Sequence, residues 1–283
     1  MIRIVSDTNS SMPQDVMDEY GIPLVPMYHM FGQETFRDRY DMTNDEFYRR
    51  LVRAKQLPTT SQPAVGDFEK VYREILEETP GATIISIHLS AELSGTVKSA
   101  QQAASLIEGA DIRHVDTRTA SLPQTFMVRE AAEMARSGAS ADDIIAHLEA
   151  MRDQVDVYFV LDTLDYLAKG GRIGRAAHLV GSVLNVKPIL TIRDGVASPF
   201  SRQRTRARAV AEVKELAVET LKGKNGVYLG VTHTVCLGEA EQLADELRNA
   251  IDPAVFMLSE IGPGLGVHLG PNALAVAWYL PPQ

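Results

Sequence analysis

Ser86-Ile-His-Leu-Ser-Ala-Glu-Leu-Ser-Gly-Thr-Val-Lys-Ser-Ala100 reads as the end of an apolar strand, a short loop and the opening of a helix, with Ser94, Gly95 and Thr96 at the junction. On either side, strand-like apolar runs alternate with capped amphipathic helices, the pattern of a mostly parallel sheet covered by helices. Strands are expected at residues 2–7, 22–30, 83–88 and 111–115, and helices near 13–20, 44–55, 66–78, 95–108, 120–137 and 141–153. Ser11 and Gln14 have the spacing of a capping box, Thr43 and Glu46 repeat it, and Gly21 can end the first helix in the left-handed conformation. This predicts a Rossmann-like α/β lobe over residues 1–153 with helices on both faces of its sheet.

Beyond residue 153 the pattern changes. Lys187-Pro-Ile-Leu-Thr-Ile-Arg-Asp-Gly-Val-Ala-Ser-Pro-Phe-Ser-Arg202 holds two strand-like runs joined at Asp194-Gly195, a hairpin signal. Helices near 206–222 and 237–250 alternate with strands near 226–233, 254–260 and 273–280. A second, mixed α/β lobe over 154–283 follows, closely packed on the first because no long linker or repeat intervenes.

The 283 residues, 45% of them hydrophobic, suffice for a large core. A net charge of −9 argues against a nucleic-acid partner, which would need an excess of Lys and Arg on one face. One cysteine, Cys236, allows no internal disulfide, and neither a long apolar run nor a signal pattern is present, so the expectation is a soluble cytoplasmic protein.

The chemistry sits at turns. The helix start at Ser94-Gly95-Thr96 offers free N–H groups, a glycine that admits close approach and two hydroxyls, so it reads either as a plain N-cap or as a site for a small anion. It lacks the Gly-Lys-Ser/Thr of a nucleotide-phosphate loop. Thr59-Thr-Ser-Gln-Pro-Ala-Val-Gly66 is a second hydroxyl-rich turn, in which Thr60 or Ser61 either caps a helix or donates to an outside group. Glu260-Ile-Gly-Pro-Gly-Leu-Gly-Val-His-Leu-Gly-Pro271 surrounds His268 with glycines in a loop between strands, where the ring either contacts a ligand carboxylate or phosphate or simply serves the turn. His233, on an apolar strand, reads as structural. Arg202, Arg204, Arg206 and Arg208 flank a helix start that Thr205 can cap, and read either as a solvated face or as a place where an anion would offset their charge. Lys169-Gly-Gly-Arg-Ile-Gly-Arg175 is a Gly-Arg loop after a short helix and suits an acidic protein surface. No zinc, paired-cysteine or Gly-x-Ser-x-Gly pattern is present, and Asp7 reads as a turn former rather than a metal ligand.

Seven short motifs in order, Val5-Ser-Asp-Thr8, Thr60-Ser-Gln-Pro63, Ser90-x3-Ser-Gly-Thr96, Lys169-Gly-Gly-Arg-Ile173, Lys187-Pro-Ile-Leu190, Arg204-Thr-Arg206 and Gly266-Val-His-Leu-Gly-Pro271, make the chain resemble the DegV family over residues 3–281. The resemblance implies two α/β lobes with a long-chain fatty acid in a tunnel between them. It further implies a role as the binding subunit of a fatty acid kinase, with no catalytic residue, metal or cofactor of its own, and transient acyl transfer at a membrane. By that resemblance Thr60, Ser61, Ser94, Gly95, Thr96 and His268 would hold the fatty acid head group, with Arg204, or else Arg202, as the basic residue nearby. Arg172 and Arg175 would lie on the kinase-docking surface. Two positions depart from the family pattern: Asn272 follows Gly-Pro, and Leu-Pro-Gln rather than a glycine-rich segment follows Ser121. Two rival readings stand beside this one. In the first, Ser94 is a nucleophile and His268 its base in an acyl ester hydrolase; in the second, the chain senses another amphipathic anion.

Overall fold

The computed structural model describes residues 1–180 and 186–282. Strand β1 (Ile2–Asp7) leads through a 3-10 turn (Thr8–Ser10) into helix α1 (Gln14–Tyr20), followed by β2 (Leu24–Val25), the hairpin β3 (Tyr28–Phe31) and β4 (Glu34–Arg37), α2 (Asn44–Arg53) and β5 (Thr59–Ser61). Next come α3 (Val65–Glu78), β6 (Thr83–His88), α4 (Thr96–Ser105), β7 (Ile112–Asp116), α5 (Leu122–Arg136) and α6 (Ala141–Met151). The second half contains β8 (Val155–Val160), α7 (Asp165–Lys169), β9 (Lys187–Arg193), β10 (Val196–Gln203), α8 (Arg206–Leu221), β11 (Tyr228–His233), α9 (Leu237–Ile251), β12 (Val255–Glu260), α10 (Pro263–Leu269) and β13 (Leu274–Tyr279). The sheets run β2-β1-β6-β7, all parallel, and β10-β9-β8-β13-β11-β12, mixed, with a small antiparallel sheet β4-β3-β5 beside them.

Two apolar helix layers clamp each large sheet. Phe68, Tyr72 and Ile75 of α3 and Ala100 and Ala103 of α4 pack on Val5, Val25 and Ile84. On the far side of the mixed sheet, Ala209, Val213 and Ala217 of α8 and Leu243, Ala244 and Leu247 of α9 cover Val160, Leu229 and Val276. Between the sheets lies α5, whose Leu122, Phe126, Met127 and Ala131 join a single core with Ile4 and Ile85 of one sheet and Val157, Phe159 and Ala275 of the other. Gly230 makes this approach possible: a Cβ there would stand 2.3 Å from Leu122 Cδ1. The turn at Gly195 also crosses between the sheets, accepting a 2.8 Å hydrogen bond from Ser90 Oγ.

Several expectations need correction. Pro13 occupies the N-cap position of α1 without a side-chain bond, and Ser11 is left-handed (φ 55°) with its N–H on the Thr8 carbonyl, so no capping box forms. The strand expected over 22–30 breaks into β2 and β3 around Pro26, which has no N–H for a ladder, and the two pieces enter different sheets. Thr59–Ser61 is a strand rather than a turn. Residues 263–269 form α10, with Pro263 in its first turn, so His268 stands on a helix and not in a loop. Thr43 and Thr205 cap the starts of α2 and α8, accepting from Glu46 N and Arg208 N, and Gly21 ends α1 with φ 61°; the return bond from the Glu46 side chain that a capping box needs is not among the hydrogen bonds of the described residues.

Because Phe126 is fully buried where both sheets meet, Phe126→Ala is expected to lower the unfolding free energy by about 3–5 kcal/mol. Urea denaturation followed by circular dichroism checks this; a loss below about 1 kcal/mol would mean that α5 does not bind the halves together.

Candidate functional site

In the parallel sheet β1 connects to β2 on one side, while β6 and β7 lie on the other, so chain direction across the sheet reverses between β1 and β6. Ligands of open α/β sheets bind beyond the carboxyl ends of the strands at such a point. A cavity lies there, with Asn9 after β1, Leu89, Leu93 and Ser94 after β6, and Ala120 and Ser121 after β7. Opposite stands one face of the mixed sheet, where Phe159, Ala275 and Thr232 sit side by side in register, with Ile192 and Ala197 beyond. The space open to the centre of a water-sized molecule is about 240 Å³, against about 10–15 Å³ needed for one water on that measure.

One part of this wall is polar. Thr60 Oγ1 and His268 Nε2 are hydrogen-bonded at 2.9 Å, joining β5 to α10. His268 Nδ1 has no hydrogen-bond partner among the described residues and faces Gly170, where a Cβ would stand 2.2 Å away. Burial, and secondly the positive charge of Arg172, bring the His268 pKa down to about 4, so the ring is neutral at pH 7. The helix start is bracketed from both sides. Gln62 lies against Gly95, where a Cβ would meet its Oε1 at 2.0 Å, and it donates to Ser99 Oγ at 2.7 Å. Arg172 Nε donates to the Leu93 carbonyl at 3.1 Å. Ser94 Oγ is 2.8 Å from Thr96 Oγ1, and Gly95 takes the N-cap position without a side-chain bond, so Ser94 is not the N-cap of α4.

The floor of α10 is anchored by Asp38, whose Oδ2 accepts from Gly264 N at 3.0 Å and from Thr8 Oγ1 at 3.1 Å. Burial pushes this carboxyl up to about 6 despite those donors. Asp7 is equally buried, holding Asn9 N, His88 Nδ1 and Gln124 Nε2, as its turn-forming reading requires. His88 Nε2 in turn meets Ser86 Oγ at 2.6 Å, but Asp7, His88 and Ser86 are all inaccessible and do not line this cavity. Among the described residues no group of acidic, histidine or cysteine side chains could hold a metal ion.

Thr60, Ser61, Ser94 and His268 therefore line one cavity, while Gly95 and Thr96 form the helix start behind Ser94. Arg172, expected on an outer docking surface, lines the cavity; Arg175 does stand outside, paired with Asp194 at 2.8 Å. Arg204 is exposed beside Asp162 and Lys187 in a separate surface depression, and Arg202 is exposed too, so neither reaches this cavity. The charge of Arg206 is offset within the chain by Glu239 and Asp162. Ser94 has no hydrogen bond to His268 among the described residues, and the nucleophile–base contact of a hydrolase is missing. Residue-type reasoning passed over Asn9, Gln62 and Ser121 as wall residues; the available signal was their place just beyond strand ends.

Comparison with known proteins gives the family of the chain. The sequence profile described as "Uncharacterised protein, DegV family" matches residues 1–280, and the chain belongs to the DegV family. It is 37% identical over 279 residues to a DegV domain-containing protein of Halalkalibacterium halodurans, covering 99% of this chain and 98% of that one. Among solved structures, a fatty-acid-binding DegV family protein from Thermus thermophilus superposes with a TM-score of 0.92 at 33% identity, covering 99% of both chains. DegV of Bacillus subtilis, a fatty acid binding protein, gives 0.89 at 34% identity, again over 99% of both.

The lowered pKa of His268 sets a sign. Between about pH 4 and 6.5 the unfolded chain holds a proton on this ring that the fold does not, so its contribution to stability rises with pH through that window and is level above it. NMR should show the His268 ring in the ligand-free protein neutral down to about pH 5, with Arg172→Gln raising the midpoint. Titration near 6.5 would contradict the buried placement.

Proposed function

We propose that the chain is a fatty-acid carrier: it encloses a long-chain fatty acid between its two sheets and presents the carboxylate to a separate kinase, a role like that of FakB, the binding subunit of bacterial fatty acid kinase. The observation that carries this reading is a cavity in which an apolar wall meets the hydroxyls of Thr60 and Ser94 and the His268 ring. The Thermus and Bacillus relatives, alike over nearly the whole chain, bind fatty acids.

The energetics suit a carrier. Burying about 14 methylenes at ~0.8 kcal/mol each gives an upper bound of roughly 11 kcal/mol, whereas a hydrogen bond to a charged group adds about 1.5–3 kcal/mol. The tail supplies affinity, and the head-group donors supply orientation. Thr60 and Ser94 donate hydroxyls to the carboxylate. The start of α4 follows directly behind Ser94, and in this proposal its N–H groups, which lack intrahelical acceptors, favour the added charge of a phosphate. A carboxylate beside His268 favours the imidazolium and raises a pKa that burial had lowered. Arg175, exposed outside the cavity, is the docking residue in this proposal, and Arg172 belongs to the head-group wall. The ATP chemistry is the partner's, the kinase product is an acyl phosphate, and its onward transfer takes place at a membrane surface. No helix among the described residues is long and apolar enough to cross one. Cytoplasmic residence is part of the same proposal.

Ser94→Ala removes one donor and should weaken fatty acid binding by about 10- to 100-fold. At saturating lipid it should still lower kinase-dependent acyl phosphate formation, because the carboxylate is no longer held in line for transfer. Calorimetric titration and a kinase assay separate the two effects. Hydrolysis of a p-nitrophenyl acyl ester by the protein alone, lost in Ser94→Ala, would contradict the carrier reading.

A further inference from the structure

Asp38 is 2% exposed and sits behind the cavity wall rather than in it. Its Oδ2 accepts from Gly264 N in the first turn of α10, so this side chain caps the helix that carries His268. The packing is close: a Cβ would stand 2.9 Å from Asp38 Oδ1 on Gly262 and 2.9 Å from Asp38 Oδ2 on Gly264. Asn9 Oδ1 borders the same space, 2.2 Å from the Cβ position of Gly264, and is buried without a hydrogen-bond partner among the described residues. An unpaired buried acceptor is costly, and a second acceptor beside it does nothing to relieve it. A proton on the Asp38 carboxyl supplies the missing donor.

The surroundings favour that proton. The charged and titratable groups around Asp38 are Arg39 next in the chain, Asp7 at the end of β1, Tyr48 of α2, Glu260 at the end of β12 and His268 on α10. Arg39 is the cation among them, and it donates to the Met12 carbonyl and Gln14 Oε1, not to Asp38. Burial, with Asp7 as a lesser like charge, outweighs the donors Gly264 and Thr8 and the charge of Arg39, and lifts the carboxyl to about 6. Between about pH 3.8 and 6 the fold therefore holds a proton that the unfolded chain lacks, and this contribution to stability is lost as pH rises through that upper value. A bound fatty acid adds a further anion to the same region, because Gly264 and Asn9, the neighbours of Asp38, both line the cavity. A nearby like charge disfavours the ionised carboxyl.

We propose that Asp38 is a proton-binding group coupled to the cavity: the protein takes up a proton here as it takes up an anionic ligand, and gives the proton back on release. The coupling is reciprocal, so a proton on Asp38 raises the affinity for the ligand by the same factor as the ligand raises the affinity for the proton. The carrier thus holds its fatty acid more tightly in mild acid and lets go more readily above neutrality. One carboxyl oxygen remains to accept from Gly264 N, so the cap on α10 survives protonation. This inference rests on the fatty-acid reading above.

The test is calorimetric titration of laurate, and of the uncharged dodecan-1-ol, into the delipidated wild-type protein and Asp38→Asn at about pH 5.5 and 7.5. Asparagine keeps an acceptor for Gly264 N and offers an N–H to Asn9 Oδ1, so it stands in for the protonated carboxyl. Wild type should bind laurate about 3- to 10-fold more tightly at the lower pH and dodecan-1-ol equally at both. Asp38→Asn should bind laurate at the higher pH as tightly as wild type does at the lower, with little pH dependence left. The proposal is overturned if Asp38→Asn binds laurate no more tightly than wild type at the higher pH. It is equally overturned if the two proteins share one pH dependence, which would then belong to His268 or to the ligand. Should the variant not fold, NMR of the Asp38 carboxyl in the wild type decides: the midpoint should lie near 6 and rise when laurate is bound. A carboxyl still ionised at about pH 4.5, with Asn9 turned to donate its Nδ2, or a midpoint that laurate leaves in place, contradicts the coupling. Failure of laurate to bind at either pH would strike the fatty-acid reading instead.

Discussion

The hydrogen bond between Thr60 and His268 joins residues 208 positions apart and is the point on which the site closes. Thr60 belongs to the edge of the small antiparallel sheet, and His268 to a short helix that leads into the mixed sheet. Neither element has a core of its own. The hairpin and α10 are held by a cluster of Phe47, Tyr48, Leu51 and Val267, and by Asp38, which ties Thr8 at the end of β1 to Gly264 at the start of α10. Once these anchors are set, the hydroxyl of Thr60 and the ring of His268 can meet only in one way.

The cavity follows from the same constraint. Two sheets that share α5 in one core would close completely if every facing residue were large. Ala197, Ala275, Ala120 and Gly264 are small where the sheets and α10 face each other, and the space they leave is walled by Phe159, Ile192, Leu93 and Leu265. An apolar void of this size is unfavourable unless an apolar ligand fills it, which is the energetic ground for proposing the cavity as a binding site. Gly95 and Gly170 set the polar side, since a side chain at either would run into Gln62 or His268.

The large elements were legible because their signals are local. The alternating strands β1, β6 and β11 and the amphipathic helices α3, α8 and α9 each carry enough periodic residues to be recognised in isolation, and Asp194-Gly195 announces its hairpin. What escaped depends on tertiary context. Thr59–Ser61 is a strand because it pairs with β3, not because its three residues favour one. The glycine-rich segment of His268 is helical because Pro263 starts it and Asp38 holds Gly264. Arg202 lies on β10, where a bulge between Pro199 and Ser201 resets the alternation, and Arg204 lies just past the strand's end, so sequence spacing could not tell which way either faces. The resemblance puts Arg172 on a docking surface; its position on the cavity wall comes with a bond to the Leu93 carbonyl, in the loop after β6, which sequence spacing does not announce. The motifs brought Thr60, Ser94 and His268 to notice, whereas Asn9 and Ser121 look like ordinary turn residues until the strand ends are seen in space.

The central claim is that the cavity holds a fatty acid. Its most direct test is to purify the protein from a bacterial host, denature it, and identify and count the extracted lipid by mass spectrometry. The account predicts about one long-chain fatty acid per chain, with delipidated protein melting lower and recovering when fatty acid is returned, as mass action requires. An extract without fatty acid, together with no thermal shift on adding fatty acids of several lengths, would contradict it.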